Sequence, residues 1–265
     1  MIVSAPSRWV VRPAESLCAP IRLFCFPYAG GGASAYRSWP ARLGPAVDVC
    51  AIELPGHETR LAEPLYTSFP RLVEAIDGAL DNYLDKPFVF FGHSMGALVA
   101  FALARRLRAR HAPTPVHLMV SGAGAPHLPR TSPPRRSLGD NELLQELQRL
   151  DGTPQAVIQN RELMQLLLPI IRADFSLDES LEYTPEPPFD MPMTAFGGWA
   201  DGDVAPERVA AWSVHSRRFT LRMFQGNHFF IHNTPEFLQT LSADLQNVIR
   251  SVHAAPFIAR TGGLG

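Results

Sequence analysis

FVFFGHSMGALVAFALA, residues 88–104, reads as four apolar residues, a Gly-His-Ser-Met-Gly bridge and a long apolar run suited to a helix. Ser94 sits on the bridge. A serine on a sharp strand-to-helix turn takes strained backbone angles, and strand and helix then approach too closely for a Cβ two residues to either side. Gly92 and Gly96 occupy those two positions. The turn lifts the hydroxyl clear of the sheet. It also aims the amide of Met95, at the positive end of the following helix, toward any oxyanion formed at that hydroxyl. Such geometry is built for nucleophilic attack on a carbonyl.

The bare Gly-x-Ser-x-Gly pattern is weak. At ordinary Gly and Ser frequencies of about 7%, chance supplies one in roughly one chain in ten of this length. Its flanks decide its meaning, and here they are a buried strand and a buried helix. A Gly/Ser turn that merely joins the two is the structural alternative.

The 265 residues suffice for one large α/β domain with a well-buried core, and no composition shift divides residues 1–265 into two. Lys plus Arg number 24 against 25 Asp plus Glu, so no field for nucleic acid and no polybasic membrane patch is expected. No apolar run approaches membrane-spanning length. The first twenty residues carry Arg8, Arg12 and Glu15 among scattered prolines, without the continuous apolar stretch of a secretory signal. Cys18, Cys25 and Cys50 are odd in number and lack metal-ligand spacing, and Cys25 and Cys50 lie in strand-like apolar runs as small hydrophobes. A cytoplasmic address is expected. There is no phosphate loop ending in Lys-Ser/Thr and no clustered His/Cys set, so neither cofactor nor metal is expected.

Outward from residues 88–104, strand-like runs at 21–26, 47–54, 116–121, 193–196 and 219–224 alternate with helical ones, which predicts a parallel sheet with right-handed crossovers. Apolar residues at Phe69, Leu72, Val73, Ile76, Leu80 and Leu84 predict a helix over 69–84 with Ser68 as N-cap. Helices are also predicted over 97–107 and, entered through Thr234-Pro235, over 236–249, with a frayed tail after His253. Between about 125 and 188 the rhythm breaks. Two Pro-rich segments bracket helical runs at 141–150 and 161–172, as in a helical lid inserted beyond the C-terminal end of a strand, where open α/β sheets bind ligands. Leu143, Leu144, Leu147, Leu163, Met164, Leu166, Leu167, Leu168, Ile170 and Ile171 make that segment greasy. Most are expected to pack it onto the core, and some to line a channel over Ser94.

A serine hydroxyl needs a base to take its proton and an acid to orient that base. In α/β-hydrolase order, acid and histidine both follow the serine. His228 comes directly after the 219–224 strand on the loop Gln225-Gly226-Asn227, at the C-terminal end beside the nucleophile. His215 and His253 fall at the other end of the sheet, and His232 reads as a loop histidine bonded to backbone. The acid is Asp201 or Asp203, on the loop after the 193–196 strand; Asp190 precedes that strand. Asp203 alternatively serves as a loop charge or a cap for a helix starting near Pro206. The second oxyanion donor is expected from Phe26-Pro27-Tyr28-Ala29-Gly30-Gly31-Gly32, with the Ala29 N–H as candidate.

Taken together, FCFPYAGGGASAYRSW, IELPGHETR, FVFFGHSMGALVAFALARRL, PIIRADF and QGNHFF, spanning about residues 23–249, resemble the type II thioesterases of polyketide and nonribosomal peptide synthesis. These are relatives of the medium-chain thioesterase of fatty-acid synthesis. The resemblance implies an α/β-hydrolase fold: a mostly parallel central sheet flanked by helices, with a helical lid. It places the triad on Ser94, Asp201 and His228, choosing Asp201 because the family's aspartate precedes a valine by three residues, here Val204, and it places the oxyanion amides on Ala29 and Met95. It further implies acyl groups borne on the phosphopantetheine arm of an acyl or peptidyl carrier protein, or on coenzyme A, and an enzyme that clears stalled or wrong acyl groups. Two departures stand out. His57 replaces an arginine usual in the Leu-Pro-Gly-Arg segment, and Asn227 replaces a glycine before the histidine. Asn tolerates a left-handed backbone, so the loop is expected to hold.

An alkyl thiol, with a pKa near about 8.5, leaves with less protonation than an alcohol. The triad alone therefore does not separate a thioesterase from a carboxylesterase or lipase. A non-catalytic binding protein on the same fold would commonly lack a triad member. Arg130, Arg135 and Arg136 form a cluster that either docks an acidic carrier or is a solvated face.

Overall fold

Seven strands form one sheet in the order β1-β3-β2-β4-β5-β6-β7: β1 Val10–Val11, β2 Ile21–Phe26, β3 Val47–Ile52, β4 Phe88–His93, β5 His117–Ser121, β6 Met193–Gly198 and β7 Phe219–Phe224. This computed structural model describes residues 8–131 and 133–254. The tail expected to fray after His253 otherwise lies outside them, and His253 itself belongs to the last helix. Six strands run parallel, as the alternating pattern predicts. The two-residue β1 is the exception, pairing antiparallel with β3 at the sheet edge.

The helices are α1 Trp39–Leu43, α2 Phe69–Leu80, α3 Met95–Ala109, α4 Asp140–Leu150, α5 Gln155–Ile158, α6 Arg161–Glu179, α7 Pro206–Ala210, α8 Phe230–Asn233 and α9 Pro235–Ala254. Side chains alternate across the sheet, so each strand feeds two cores. On one face Phe24, Phe26, Phe88, Phe90, Leu118 and Val120 pack with α2 and α3. On the other, Leu23, Cys25, Val49, Val89, Phe91 and Met119 pack with α1 and α9. Burial on both faces explains why the strands read as continuous apolar runs. It also pushes the Cys50 thiol up to about 12 and Cys25 well upward, so both stay protonated packing groups.

Helix boundaries differ from the sequence pattern for local reasons. Ser68 is the residue before α2, but its side chain makes no capping bond; its carbonyl receives the Leu72 amide, and Pro70 occupies the first turn. α2 stops at Leu80, where the chain tightens into a 3₁₀ turn over Asp81–Tyr83. α6 runs through Pro169 and past Arg172 to Glu179, carried by the buried side of Met164, Leu168, Ile171, Phe175 and Leu177. Between β5 and β6, α4 and α6 close a small core of their own around Leu143, Leu147, Met164, Leu168, Ile171 and Phe175.

At the β4–α3 turn the two glycines are required by contact. A Cβ on Gly92 would overlap the Gly96 carbonyl, and one on Gly96 would overlap the Phe26 and Pro27 carbonyls that follow β2. Gly96→Ala therefore displaces backbone rather than a flexible side chain. Urea denaturation of this variant is expected to show a loss of roughly 2–3 kcal/mol, near the upper end for overpacking; an unchanged midpoint would contradict the close approach.

Candidate active site

β4 ends at His93, and Ser94 follows with φ 53° and ψ −121°, a backbone region that a non-glycine residue occupies only when its surroundings enforce it. The Ser94 amide donates to Ser121 O at 2.7 Å, and the Ala97 amide to Ser94 O at 2.9 Å, which fixes the turn from both sides. Met95 opens α3 and is buried. Ala29 lies on the loop after β2, where Gly31 N–H closes a turn onto Tyr28 O at 2.8 Å. Among the described residues, neither the Ala29 nor the Met95 amide donates to a backbone carbonyl outside the regular elements. Both residues line a cavity together with Ser94.

His228 follows β7 and is buried, with its Nδ1 2.8 Å from Asp201 Oδ2. The other carboxylate oxygen, Asp201 Oδ1, accepts the amides of Asp203 at 2.8 Å and Val204 at 3.0 Å. One carboxylate therefore holds the imidazole and organises its own loop, which accounts for the three-residue spacing to Val204. Asp203 lines the same cavity but is engaged by other partners. It takes ion pairs from Arg135 and from Arg149, the latter at 2.8 Å. Burial raises its carboxyl, but the two guanidiniums outweigh burial and leave it below the ordinary aspartate value. Of the two aspartates that the sequence leaves open, only Asp201 meets His228. Ser94 and His228 line one cavity; among the described residues no hydrogen bond joins them.

The ring of His93 lies beside His228, with centroids 5.1 Å apart, and its Nδ1 is 3.0 Å from Ser121 Oγ. Complete burial, then the neighbouring His228 and His232, push His93 well below the usual histidine range, so it is a neutral platform. Of the other histidines, His232 parts from expectation and His215 does not. His232 meets the Tyr28 hydroxyl at 3.2 Å rather than backbone. His215 is buried against His127 at 3.0 Å, away from the site. Asn227 is not among the residues with positive φ. The loop holds because Asn227 Oδ1 accepts the Phe229 amide at 3.0 Å and its Nδ2 donates to Asp151 at 3.0 Å.

Ser94 stands where two cavities meet. The first, about 370 Å³, is walled by Leu147, Leu150, Leu167, Ile170, Ile171 and Phe229. The second, about 360 Å³, opens past Met95, Leu98 and Leu128 toward Arg130, Arg135 and Arg208. The greasy residues of the 125–188 segment thus divide. Leu147, Leu167, Ile170 and Ile171 reach the cavity, Leu143, Met164 and Leu168 fill the segment's own core, and Leu166 is exposed.

Within the arginine cluster Arg130 and Arg136 are exposed and Arg135 is mostly buried, and each is ion-paired. Arg130 pairs with Asp178 at 2.8 Å, Arg135 with Glu146 at 2.7 Å and with Asp203, and Arg136 with Glu179 at 3.7 Å. Hydrogen bonds from Arg149 and Arg135, working against burial, hold the Glu146 carboxyl down at about 2. These pairs clasp α4 and α6 to the acid loop. Sequence reading missed the clasp because its charges are distant along the chain.

A strained serine at the end of a parallel central strand, with an aspartate-held histidine beside it, is the arrangement of α/β-hydrolase enzymes. The thioesterase domain family matches residues 21–245, and the chain belongs to that family. Linear gramicidin dehydrogenase LgrE of Brevibacillus parabrevis is 42% identical over 250 residues, covering 92% of this chain and 95% of that one. The RedJ thioesterase of the prodiginine pathway in Streptomyces coelicolor is 40% identical, with a TM-score of 0.82 over 94% of this chain and 96% of its own. The type II thioesterase BorB of the borrelidin cluster is 35% identical, with a TM-score of 0.82 over 89% and 97%. This chain is a thioester hydrolase related to type II thioesterases. The word dehydrogenase belongs to LgrE. Here β2 leads through three glycines into a single 3₁₀ turn over Ala33–Tyr36, not into the helix N-terminus that a dinucleotide pyrophosphate needs.

Asp201→Asn and Asp203→Asn, the same change two residues apart, should separate cleanly in steady-state kinetics. Asp201→Asn is expected to lower kcat by roughly 10³–10⁴-fold through loss of the imidazole's tautomer and orientation. Asp203→Asn leaves that pair intact and is expected to cost roughly tenfold or less, while making the 126–188 segment more sensitive to limited proteolysis. Equal losses in both would contradict the assignment.

Proposed function

We propose that Ser94, His228 and Asp201 carry out two-step acyl transfer. His228 Nε2 takes the Ser94 hydroxyl proton as Oγ attacks the thioester carbonyl. The oxyanion rests on the Ala29 and Met95 amides, whose individual worth is roughly 3–4 kcal/mol of barrier in sites of this type. The C–S bond then breaks, and the imidazolium proton goes to the departing sulfur. Water, deprotonated by His228, attacks the acyl-serine, and the imidazolium returns that proton to Ser94 Oγ as the acid is released. Asp201 holds the imidazole in one tautomer and faces the positive charge formed in each half-reaction.

The observation that carries this reading is the 2.8 Å Asp201–His228 contact behind a histidine that lines the Ser94 cavity. The Ser94–His228 hydrogen bond belongs to the substrate complex, since such bonds commonly tighten only when substrate is bound.

The substrate we propose is an acyl group on the phosphopantetheine arm of an acyl or peptidyl carrier protein, with acyl-coenzyme A offering the same arm. The role is clearing stalled or wrong acyl groups in polyketide or nonribosomal peptide synthesis. Relatives named for gramicidin, prodiginine and borrelidin support this setting. The apolar first cavity suits the acyl chain, and residues 125–188 act as the lid of one α/β-hydrolase domain. We place the reaction in the cytoplasm. Three free cysteines support that address, and among the described residues no helix is long and apolar enough to cross a membrane.

Turnover of an acyl-carrier thioester, the matching acyl-coenzyme A and a p-nitrophenyl ester of the same acid tests this. Thioester hydrolysis is expected to lead, with kcat/KM highest on the carrier, and Ser94→Ala is expected to abolish all three. Comparable or better turnover of the oxygen ester would point to a general carboxylesterase.

A further inference from the structure

His57 has no task in the reaction as proposed, yet it is buried beside it. It follows the turn Leu54-Pro55-Gly56 after β3 and is 5% exposed. Its two ring nitrogens face two oxygens: Nδ1 lies 3.1 Å from the Pro55 carbonyl and Nε2 lies 2.9 Å from Asp174 Oδ2. A carbonyl only accepts, and so does an ionised carboxylate. A neutral imidazole has a single N–H to give. Both contacts are satisfied together by the imidazolium.

The carboxylate it meets is equally buried and comes from the middle of α6. Asp174 Oδ2 accepts a second hydrogen bond, from the Gly30 amide at 2.7 Å. Gly30 directly follows Ala29 and adopts φ +74°, and a Cβ there would press on Ile171 of the same helix. A single carboxylate oxygen thus receives a cation from the β3 loop and an amide from the oxyanion loop. The peptide after Ala29 is pinned by Asp174, and the turn around it is closed by Gly31 N–H onto Tyr28 O.

We propose that His57, as a buried cation, is a positioning residue that through Asp174 and Gly30 fixes the direction of the Ala29 N–H and docks α6 over the site. The inference rests on the reading of Ser94 and Ala29 given above. Without the cation, Asp174 is a buried charge supported by one amide, and its drive toward water pulls both α6 and the loop out of place.

Protonation follows the same geometry. Burial lowers the His57 pKa, but the hydrogen bond and charge of Asp174, then the Pro55 carbonyl and Glu58, outweigh it and leave the group raised. The charged groups facing it are Asp174 from α6 and Glu58 from its own loop, whose carboxylate also receives the Ser34 amide. A raised folded-state pKa means that the pairing is complete below the ordinary histidine value and is lost as pH rises through the higher one. Oxyanion stabilisation then declines on the alkaline side.

The test compares wild type, His57→Gln, His57→Arg and Asp174→Asn on one acyl thioester from neutral to alkaline pH, with spontaneous hydrolysis subtracted. His57→Gln is expected to lower kcat ~10- to 100-fold with KM nearly unchanged, as for a misplaced catalytic group. His57→Arg, a cation that does not titrate, is expected to recover kcat and to remove the alkaline decline seen in wild type. Asp174→Asn keeps an acceptor for Gly30 N–H and is expected to fold, with lowered kcat and no alkaline decline. Wild-type kcat in His57→Gln, an effect confined to KM, or the same alkaline decline in His57→Arg as in wild type would overturn the proposal. If His57→Gln does not fold, the Arg and Asn variants decide. Inactive wild type, or active Ser94→Ala, would instead strike the underlying reaction.

Discussion

The close approach of three backbones at Gly92, Gly96 and Phe26–Pro27 is the constraint from which the site follows. β4 and α3 meet without room for a Cβ, and α3 presses on the chain leaving β2. Ser94 is forced into its strained conformation by that packing. The same contact places the first amide of α3 beside the loop that supplies Ala29. Ser94, Met95 and the loop carrying Ala29 are therefore set by one piece of packing, distributed over two neighbouring parallel strands.

The remaining machinery is tied to this centre by polar contacts that each span a long stretch of chain. Asp201 holds His228 with one oxygen and its own loop with the other. Asp203, two residues on, is claimed by Arg135 and Arg149, so the segment over the cavity is clasped to the loop that carries the acid. Asp174 joins α6 to Gly30, on the loop after β2, and to His57. Apolar side chains of α4 and α6 form a core of their own within the same segment. The segment is thereby both a wall of the cavity and a partner in the geometry beneath it.

The central strands and the serine turn were legible because burial on both faces writes uninterrupted apolar runs, and because a turn without room for Cβ atoms admits only glycine. Which end of the sheet each loop occupies singled out His228 and left Asp201 and Asp203 open, and the resemblance chose between them. What stayed hidden depends on tertiary contact. β1 is a two-residue edge pairing with no period to read. α6 outruns its predicted end at Arg172 because its buried face continues through Phe175 and Leu177. Asn227 serves through its side chain, not through a left-handed backbone. His57 and Asp174 lie 117 residues apart, and Asp174 carried no signal beyond its place in a resembling motif. The arginines near residue 135 read as a patch because the carboxylates that neutralise them come from other elements.

The account stands most directly on whether Ser94 becomes acylated. Rapid-quench mass spectrometry of the protein mixed with an acyl-carrier thioester reads this, with peptide mapping over the β4–α3 turn. The account predicts a transient mass increase equal to the acyl group, located on Ser94 and absent when Ser94 is alanine. Turnover with the acyl group located on another residue, or turnover that persists undiminished when Ser94 is alanine, would contradict it.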